Sequence, residues 1–357
     1  MADKTPPLEP DRLPGAPHPR ERDVLFGHEE AERGFLEAYG AGRLHHAWLI
    51  GGPQGIGKAT LAYRVAKFVL ERGGRPPASG EPPPQSLAVA PDSRAARQVA
   101  ALSHPGLMVL RRLPATDKKA ASTTIPVDEV RRALQLFGST AIDAGYRVCI
   151  VDAADDLIPA SANALLKMVE EPPPRSLFLI LAHAPQRVLP TIRSRCRKLI
   201  LRPLEPPNLE RVIRSLPEPL CDAPAGDLAT AIGAADGSAR RAIELLDPDR
   251  ARTVETVQGL LASLPALDLR KVAALADRLA RRGAEQDFEI TLETVERWTA
   301  SALEARAGEG ARRLAPLVEV CEKSARAAID ADTYNLDRRP LVLSLFGDLA
   351  EAVRATR

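Results

Sequence analysis

The stretch GGPQGIGKAT, residues 51–60, decides the fold of this chain. Gly52, Gly57 and Lys58 satisfy the spacing G-x-x-x-x-G-K of a phosphate-binding loop. The apolar run HAWLIGG precedes the loop as a predicted strand, and KATLAYRVAKFVLER follows it as a predicted amphipathic helix. In such a loop, backbone N–H groups surround an anion, and the helix N-terminus and the lysine add positive charge. The sequence therefore predicts a loop of nucleotide-binding ancestry.

The loop lacks the hydroxyl that normally reaches magnesium. In a functional loop a Ser or Thr follows the lysine and ligates the metal. Ala59 has no hydroxyl, and Thr60, one residue later on a helix, points about 100° away. We therefore predict a degenerate site. Its phosphate-binding residues would be Gly52, Gly55, Gly57, Lys58, Ala59, Thr60 and Asp152.

The run RVCIVDAADDL predicts a second part of the same site. An apolar strand ending in an acid, here Asp152, is typical of the carboxylate that approaches magnesium in P-loop NTPases. Hydrolysing relatives carry Glu at the next position as the base that orients water, and this chain has Ala153. General-base help is typically worth ~10²–10⁴-fold in rate. We therefore expect no efficient hydrolysis, and weak or absent binding of ATP or ADP.

Further strand and helix signals indicate the fold class. The runs LMVLRR, LFLILAH and RKLILRPL predict strands that alternate with helices, which favours an α/β core with a parallel sheet covered on both faces. Beyond residue 203 the periodicity is helical. We predict five segments: a disordered Pro-rich leader (1–22), a P-loop core (23–203), a Pro-rich flexible insertion within it (73–93), a small helical lid (204–250) and a C-terminal all-α domain (251–357).

Composition excludes several other classes of protein. The 357 residues carry a net charge of +2, which does not demand a nucleic-acid partner. The four cysteines are widely spaced without a CxxC pair, so we expect neither a zinc site nor a disulfide framework. The longest apolar runs are too short to cross a bilayer, and the N-terminus has no apolar core of a secretory signal. We expect a cytoplasmic protein.

The segment TIRSRCRKLIL places an arginine between a predicted helix and a predicted strand. Arg195 in this position suits a finger aimed at the phosphate of a neighbouring subunit, a role that can be worth ~10³–10⁵ in rate. A structural arginine that caps the preceding helix explains the same spacing equally well. Both interpretations stay open at this point.

Three segments together resemble one family. HHAWLIGGPQGIGK, SANALLKMVEEPPP and IRSRC are similar to bacterial clamp-loader subunits of the AAA+ superfamily. The motor subunits of that family, gamma/tau, have an intact loop and an Asp-Glu-Ala-Asp box. This sequence has Gly-Lys-Ala and Asp-Ala-Ala-Asp, and so resembles the delta-prime type of subunit of bacterial DNA polymerase III. The motifs cover roughly residues 23–250, and the similarity continues more weakly to the end.

The resemblance implies the stator of a pentameric ring that contains gamma/tau motors and a delta subunit. Such a stator does not turn over ATP, and its arginine, here Arg195, reaches the nucleotide of the adjacent motor. Arg240 lies where motors place a sensor arginine, although an ordinary charge on the lid surface is the alternative. The C-terminal helices would form the collar of the ring, and the sliding clamp and primer-template DNA would be reached through the complex. The stretch that holds a zinc module in many clamp-loader subunits has no cysteine here, so no zinc is expected.

Two other functions are compatible with the loop. One is an active AAA+ ATPase of the gamma/tau type, which would require a hydroxyl at Ala59 and a carboxylate at Ala153. The other is a nucleotide-binding regulatory switch, which leaves Arg195 and the C-terminal helices without a purpose. We therefore expect a non-hydrolysing subunit of the polymerase holoenzyme, associated with the nucleoid.

Overall fold

Five apolar runs of the sequence form one parallel sheet in the computed structural model. The strands are β1 (Ala47–Gly51), β2 (Leu107–Arg111), β3 (Arg147–Asp152), β4 (Ser176–Ala182) and β5 (Arg197–Ile200), in the spatial order β2-β3-β4-β1-β5. All four strand pairs are parallel. β1 and β4 are buried at every position, as expected for inner strands of a parallel sheet covered on both faces, whereas the edge strand β5 is largely exposed. The predicted α/β core with a parallel sheet is confirmed.

The structure describes residues 9, 12–74, 82–114, 122, 124–138, 145–281, 283–334 and 336–356. The chain divides into two compact units, Met1–Ile243 and Glu244–Arg357. The helices are α1 (Glu29–Gly40), α2 (Lys58–Glu71), α3 (Arg94–Ala100), α4 (Val127–Gly138), α5 (Pro159–Glu170), α6 (Pro190–Ser194), α7 (Pro206–Arg214), α8 (Ala225–Ala234), α9 (Ala239–Leu245), α10 (Pro248–Ala262), α11 (Leu269–Leu279), α12 (Glu285–Ala305), α13 (Ala311–Tyr334) and α14 (Arg338–Ala355). The finer division into core, lid and collar stays a prediction. Within the described ranges, no helix has the length and apolarity to span a membrane.

The sheet separates two hydrophobic cores in the first unit. Successive side chains of a strand point to opposite faces, so Trp48 and Ile50 pack with α1 and α2, whereas Leu49 packs with α4 and α5. β4 is buried at all seven positions. β1 is likewise buried at all five positions and is held between β4 and the edge strand β5. The loop that follows β1 therefore begins from a fixed point.

The Pro-rich leader packs against the first unit, which corrects the predicted disorder for residues 12–22. His18 is fully buried and lies edge-on to Tyr63 of α2, with 5.8 Å between ring centroids. The buried Arg20 donates from Nε to the carbonyl oxygen of Ala100 at 2.8 Å. Composition alone could not reveal this, because a few buried side chains anchor a segment that has almost no regular secondary structure. Residues 1–8, 10 and 11 of the predicted leader lie outside the described residues.

Glu9 of the leader should make stability depend on acidic pH. Its carboxylate contacts Arg20 at 2.8 Å and Arg111 at 2.6 Å. Burial raises the pKa of Glu9, but the hydrogen bonds from these arginines outweigh burial and lower the pKa from 4.5 to about 2. A folded-state pKa below the unfolded one stabilises the protein above about pH 4.5 and loses that stabilisation as the pH falls toward 2.

We therefore expect Glu9→Gln to lose less stability than wild type between about pH 5 and pH 3. Urea unfolding at a series of pH values measures this difference. Glu37→Gln, on the exposed face of α1, is the matched control and should keep the pH dependence of wild type. Parallel curves for wild type and Glu9→Gln would contradict the role of the ion pairs.

The predicted flexible insertion, residues 73–93, is only partly described. Residues 75–81 lie outside the described residues, and residues 82–90 have no regular secondary structure. Leu87 nevertheless is 1% exposed and belongs to the core on the α1 and α2 side of the sheet. The predicted flexible insertion is therefore anchored at Leu87, where one apolar side chain reaches the core from a stretch that is otherwise rich in proline.

The second unit is helical throughout its described elements, as its periodicity predicted. Its core holds Phe346 and Leu349 of α14 together with apolar side chains of α10, α11, α12 and α13. Among the described residues of this unit, three helices begin at aspartates that accept hydrogen bonds from backbone N–H groups of the first turn: Asp247 before α10, Asp268 before α11 and Asp337 before α14. Such N-caps satisfy donors that have no partner within the helix.

Candidate nucleotide site

The loop after β1 has the backbone that its glycines predicted. Gly52, Gly55 and Gly57 have φ angles of +142°, +76° and +107°. A Cβ atom at Gly52 would lie 2.5 Å from the carbonyl oxygen of Leu201, and one at Gly55 would lie 2.3 Å from Oγ of Ser238. Gly52 and Gly55 are therefore required for two reasons. Residues with a side chain disfavour these φ angles, and the close contacts leave no room for a Cβ atom.

Lys58 is turned back onto its own loop. Its Nζ donates to the carbonyl oxygens of Gly52 and Pro53, both at 2.6 Å, and the residue is 4% exposed. Burial lowers the pKa of Lys58 from 10.5 to about 8, although Asp152 and Asp155 oppose the shift. The ammonium thus closes the loop and would have to exchange these contacts to bind a phosphate.

This lowered pKa predicts a specific effect of pH on stability. The unfolded chain keeps the Lys58 proton above pH 8 whereas the folded chain releases it, so the free energy of unfolding gains a term that rises with pH. Relative to Lys58→Met, wild type should gain on the order of 1 kcal/mol per pH unit between about pH 8 and pH 9.5. Urea unfolding of both proteins at each pH measures this, because other titrations cancel in the difference. A difference that is flat with pH would contradict it.

The carboxyl ends of β3 and β4 meet beside the loop. Asp152 ends β3, and Asp155 accepts hydrogen bonds from the backbone N–H groups of His183, at 2.6 Å, and Ala184, at 3.0 Å. Ala153, at the predicted position of the missing base, is buried. Asp155 is the first carboxylate after β3 that could replace the missing base. Its hydrogen bonds instead hold the carboxyl ends of β3 and β4 together.

His183 is a site residue that the sequence analysis missed. It follows β4 directly, and its Nδ1 is buried without a hydrogen-bond partner among the described residues. Burial, followed by the nearby charge of Lys58, lowers its pKa from 6.5 to about 4, so the imidazole is neutral at pH 7. Its position at the carboxyl end of a central parallel strand, where ligands bind in α/β sheets, was the available signal.

One cavity collects most of the predicted phosphate-binding residues. Its lining includes Asp152, Arg240 and the loop from Gln54 to Thr60, so Gly55, Gly57, Lys58, Ala59 and Thr60 all reach it. Gly52 lies beside the cavity as an acceptor for Lys58. Leader residues such as Leu13 and Pro17 form part of the wall, which the sequence did not predict.

Arg240, Arg22 and two arginines that follow one another at the end of β2 bring positive charge to this cavity. The backbone N–H of Arg240 donates to the carbonyl oxygen of Gly55 at 3.3 Å, which places the predicted sensor position against the loop. Arg111 and Arg112 at the end of β2 also line the cavity, and Arg112 pairs with Asp156 at 3.4 Å. The sequence analysis missed Arg111 and Arg112 because it interpreted LMVLRR only as a strand.

Magnesium fits this cavity poorly. Ala59 offers a methyl group where the first metal ligand of a P-loop would be, and Ala153 replaces the neighbouring carboxylate. Asp152 is the remaining carboxylate of the motif. Within the described ranges, no group of three or more His, Cys, Asp or Glu side chains is arranged to hold a metal.

Arg195 lies away from this cavity, at the edge of the sheet. It follows α6 and precedes the edge strand β5, and 41% of its side chain is exposed. Its Nη1 donates to the carbonyl oxygen of Thr191 at 3.0 Å, and its Nη2 pairs with Glu170 at 2.9 Å. Both predicted roles fit this geometry, because the guanidinium caps α6 and also faces solvent.

Comparison with known proteins identifies the family. Residues 27–205 match the model of the family described as "DNA polymerase III, delta subunit". The chain is 34% identical over 222 residues to the DNA polymerase III subunit delta' of Pseudomonas aeruginosa, an alignment that covers 60% of this chain and 61% of that protein. It is 32% identical over 234 residues to the subunit delta' of Escherichia coli, covering 65% and 64%.

A motor-type subunit is also similar. The chain is 30% identical over 261 residues to the DNA polymerase III subunit gamma/tau of Mycobacterium tuberculosis, an alignment that covers 71% of this chain and 41% of that protein. The chain thus spans less than two thirds of the length of each of these relatives. Since the family match covers half of the chain and includes the loop, Asp152 and Arg195, the chain belongs to the DNA polymerase III delta subunit family and resembles its delta-prime members.

Proposed function

We propose that this chain is the stator of a DNA polymerase III clamp loader, with a degenerate ATP site and an arginine that acts on a neighbour. The observation that carries the proposal is the separation of two features. The chain's own cavity lacks the hydroxyl and the base at Ala59 and Ala153, whereas the half-exposed Arg195 lies outside that cavity at the sheet edge. An arginine in that position is of little use to its own loop and is accessible to another subunit.

The loop keeps the backbone conformation of a phosphate-binding loop, whereas the site no longer supports hydrolysis. The loop supports the end of β1 and contacts Arg240, so loss of the loop would disturb the fold. Lys58 and the backbone N–H groups would bind ATP or ADP weakly or not at all, since the ammonium is engaged by Gly52 and Pro53. Arg240, placed against the loop, is the proposed sensor.

The partners follow from this division of labour. Gamma/tau motors and a delta subunit would complete a pentameric ring, with the helices of the second unit as the collar. ATP binding by the motors would open the sliding clamp, and hydrolysis on primer-template DNA would close it. The stator would work in the cytoplasm, at the replisome on the nucleoid, and would contribute no polymerase chemistry of its own.

Reconstitution tests this proposal. Purified chain alone should give no ATP turnover above background. Mixed with gamma/tau and delta subunits, it should form a complex of defined stoichiometry, and loading of a labelled clamp onto primed DNA should require it. Turnover by the chain alone would favour the active-ATPase alternative. Tight nucleotide binding without assembly would favour a regulatory switch.

A further inference from the structure

Two features around Arg195 remain unexplained by the proposed function. From residue 172 to residue 204 the chain has no acidic residue, yet it has seven basic ones: Arg175, Arg187, Arg193, Arg195, Arg197, Lys198 and Arg202. The guanidinium of Arg195 is nevertheless paired with a carboxylate, that of Glu170 at the end of α5. The two residues are 25 positions apart in the chain and meet only because β4 and α6 return the chain to α5.

The arginines two positions away on either side have uncharged partners. Arg193 donates to the carbonyl oxygen of Gln186 at 3.2 Å, and the guanidinium of Arg197 lies 4.8 Å from the ring centroid of Trp48. Like charges repel, so these cations destabilise any position of the Arg195 guanidinium that brings it closer to them. The carboxylate of Glu170 is the charged partner that offsets this repulsion at the Arg195 guanidinium.

The contacts of Arg195 define one orientation. Nη1 donates to Thr191 at 3.0 Å and is 3.4 Å from Oγ of Ser194, while Nη2 pairs with Glu170 at 2.9 Å. A guanidinium has five N–H donors in a rigid plane, so these three contacts leave donors for another ligand. Anchoring on both sides also reduces the rotamer freedom that a finger would lose when it meets a phosphate.

We infer that Glu170 is a positioning residue for Arg195: it holds the guanidinium oriented at the sheet edge for a phosphate of the adjacent subunit. This inference rests on the proposed function. Glu170 touches neither nucleotide nor reacting atoms in this arrangement and acts only through Arg195. A misplaced catalytic group costs rate, because catalysis requires the reacting groups to be aligned.

The chain offers a matched control. Glu171 is the next residue and carries the same charge, but its backbone N–H caps α5 by donating to Lys167 at 3.1 Å. Glu171→Ala therefore removes the same charge from the same helix end without removing the described partner of Arg195. Glu170 is 38% exposed, so its truncation should leave the fold intact.

The experiment measures kcat and KM for ATP at the motor site that faces Arg195, resolved as a separate phase of phosphate release when clamp and primed DNA are added to the reconstituted loader. Glu170→Ala should lower kcat by roughly 3–10-fold at unchanged KM, because a positioning residue lowers the rate of the bound complex. Glu170→Gln keeps an acceptor oxygen and should recover part of the rate. Glu171→Ala should stay within about twofold of wild type.

A double-mutant cycle separates positioning from other effects. Glu170→Ala combined with Arg195→Ala should be no slower than Arg195→Ala alone, since interacting residues are not additive. Additive losses, or wild-type kcat for Glu170→Ala, would overturn the positioning role while leaving the proposed function in place. Wild-type kcat for Arg195→Ala would instead remove the finger role itself, and the positioning role with it.

Discussion

In the proposed loader, Arg195→Ala should reduce ATP hydrolysis at the neighbouring motor site by ~10³-fold or more, the range known for arginine fingers. The reason is electrostatic: charge develops on the transferring phosphoryl group, and a positioned guanidinium stabilises it in the transition state. The clearest measurement is the burst of phosphate released when primed DNA is added to an ATP-loaded complex. The burst should lose the amplitude of one site, because the other sites keep their own arginines.

Two controls give this result its meaning. Arg193→Ala, at the same sheet edge and bonded to Gln186, removes an equal charge and should leave the burst unchanged. Gel filtration should recover the complete assembly with Arg195→Ala. An unchanged burst with intact assembly would reduce Arg195 to the cap of α6 that its bond to Thr191 also suggests.

Phe346→Ala should lower the free energy of unfolding of the second unit by ~3–5 kcal/mol, the usual loss for a buried phenylalanine. Phe346 of α14 is 0% exposed in the core of that unit. Truncation removes its apolar contacts and leaves a cavity that the surrounding helices fill only in part. In the proposed loader the same variant should also weaken assembly of the ring, because the collar depends on this core.

The two tryptophans allow the loss to be assigned to one unit. Trp48 lies in the sheet core, and Trp298 packs on the core of the second unit. In a Trp48→Phe background, fluorescence during urea unfolding reports on the second unit alone. Phe346→Leu is the conservative control and should cost less, since it leaves a smaller cavity. Equal unfolding midpoints for Phe346→Ala and its parent would contradict the packing described here.

Local patterns predicted the strands, the loop and the helical second unit. β1 and β4 could be predicted from the sequence because each is a short apolar run that ends at a turn. A strand buried on both faces does not need alternating apolar and polar residues. The loop could be predicted because its glycines and Lys58 all lie between residues 52 and 58, at a fixed spacing. The leader was misjudged because proline content predicts the absence of helices and strands, which is a different property from the absence of packing.

The site was predicted in part for the same reason. Asp152 and Ala153 could be found because each has a fixed position relative to the end of a strand. His183, Arg112 and the wall made by the leader have no fixed spacing from the loop. His183 and Arg112 reach the cavity because β4 and β2 end at the same edge of the sheet. The leader reaches it because His18 and Arg20 anchor the leader to the first unit.

The sequence by itself determined the α/β core, the glycine loop that ends at Lys58 and the family to which the chain belongs, because those features depend on residues close together in the chain. The tertiary structure alone decided that Lys58 binds its own loop, that Glu9 joins Arg20 to Arg111, and that Glu170 meets Arg195. These contacts depend on strand order and on which side chains fill the space between elements. Neither the strand order nor the packing of these side chains can be inferred from periodicity or composition.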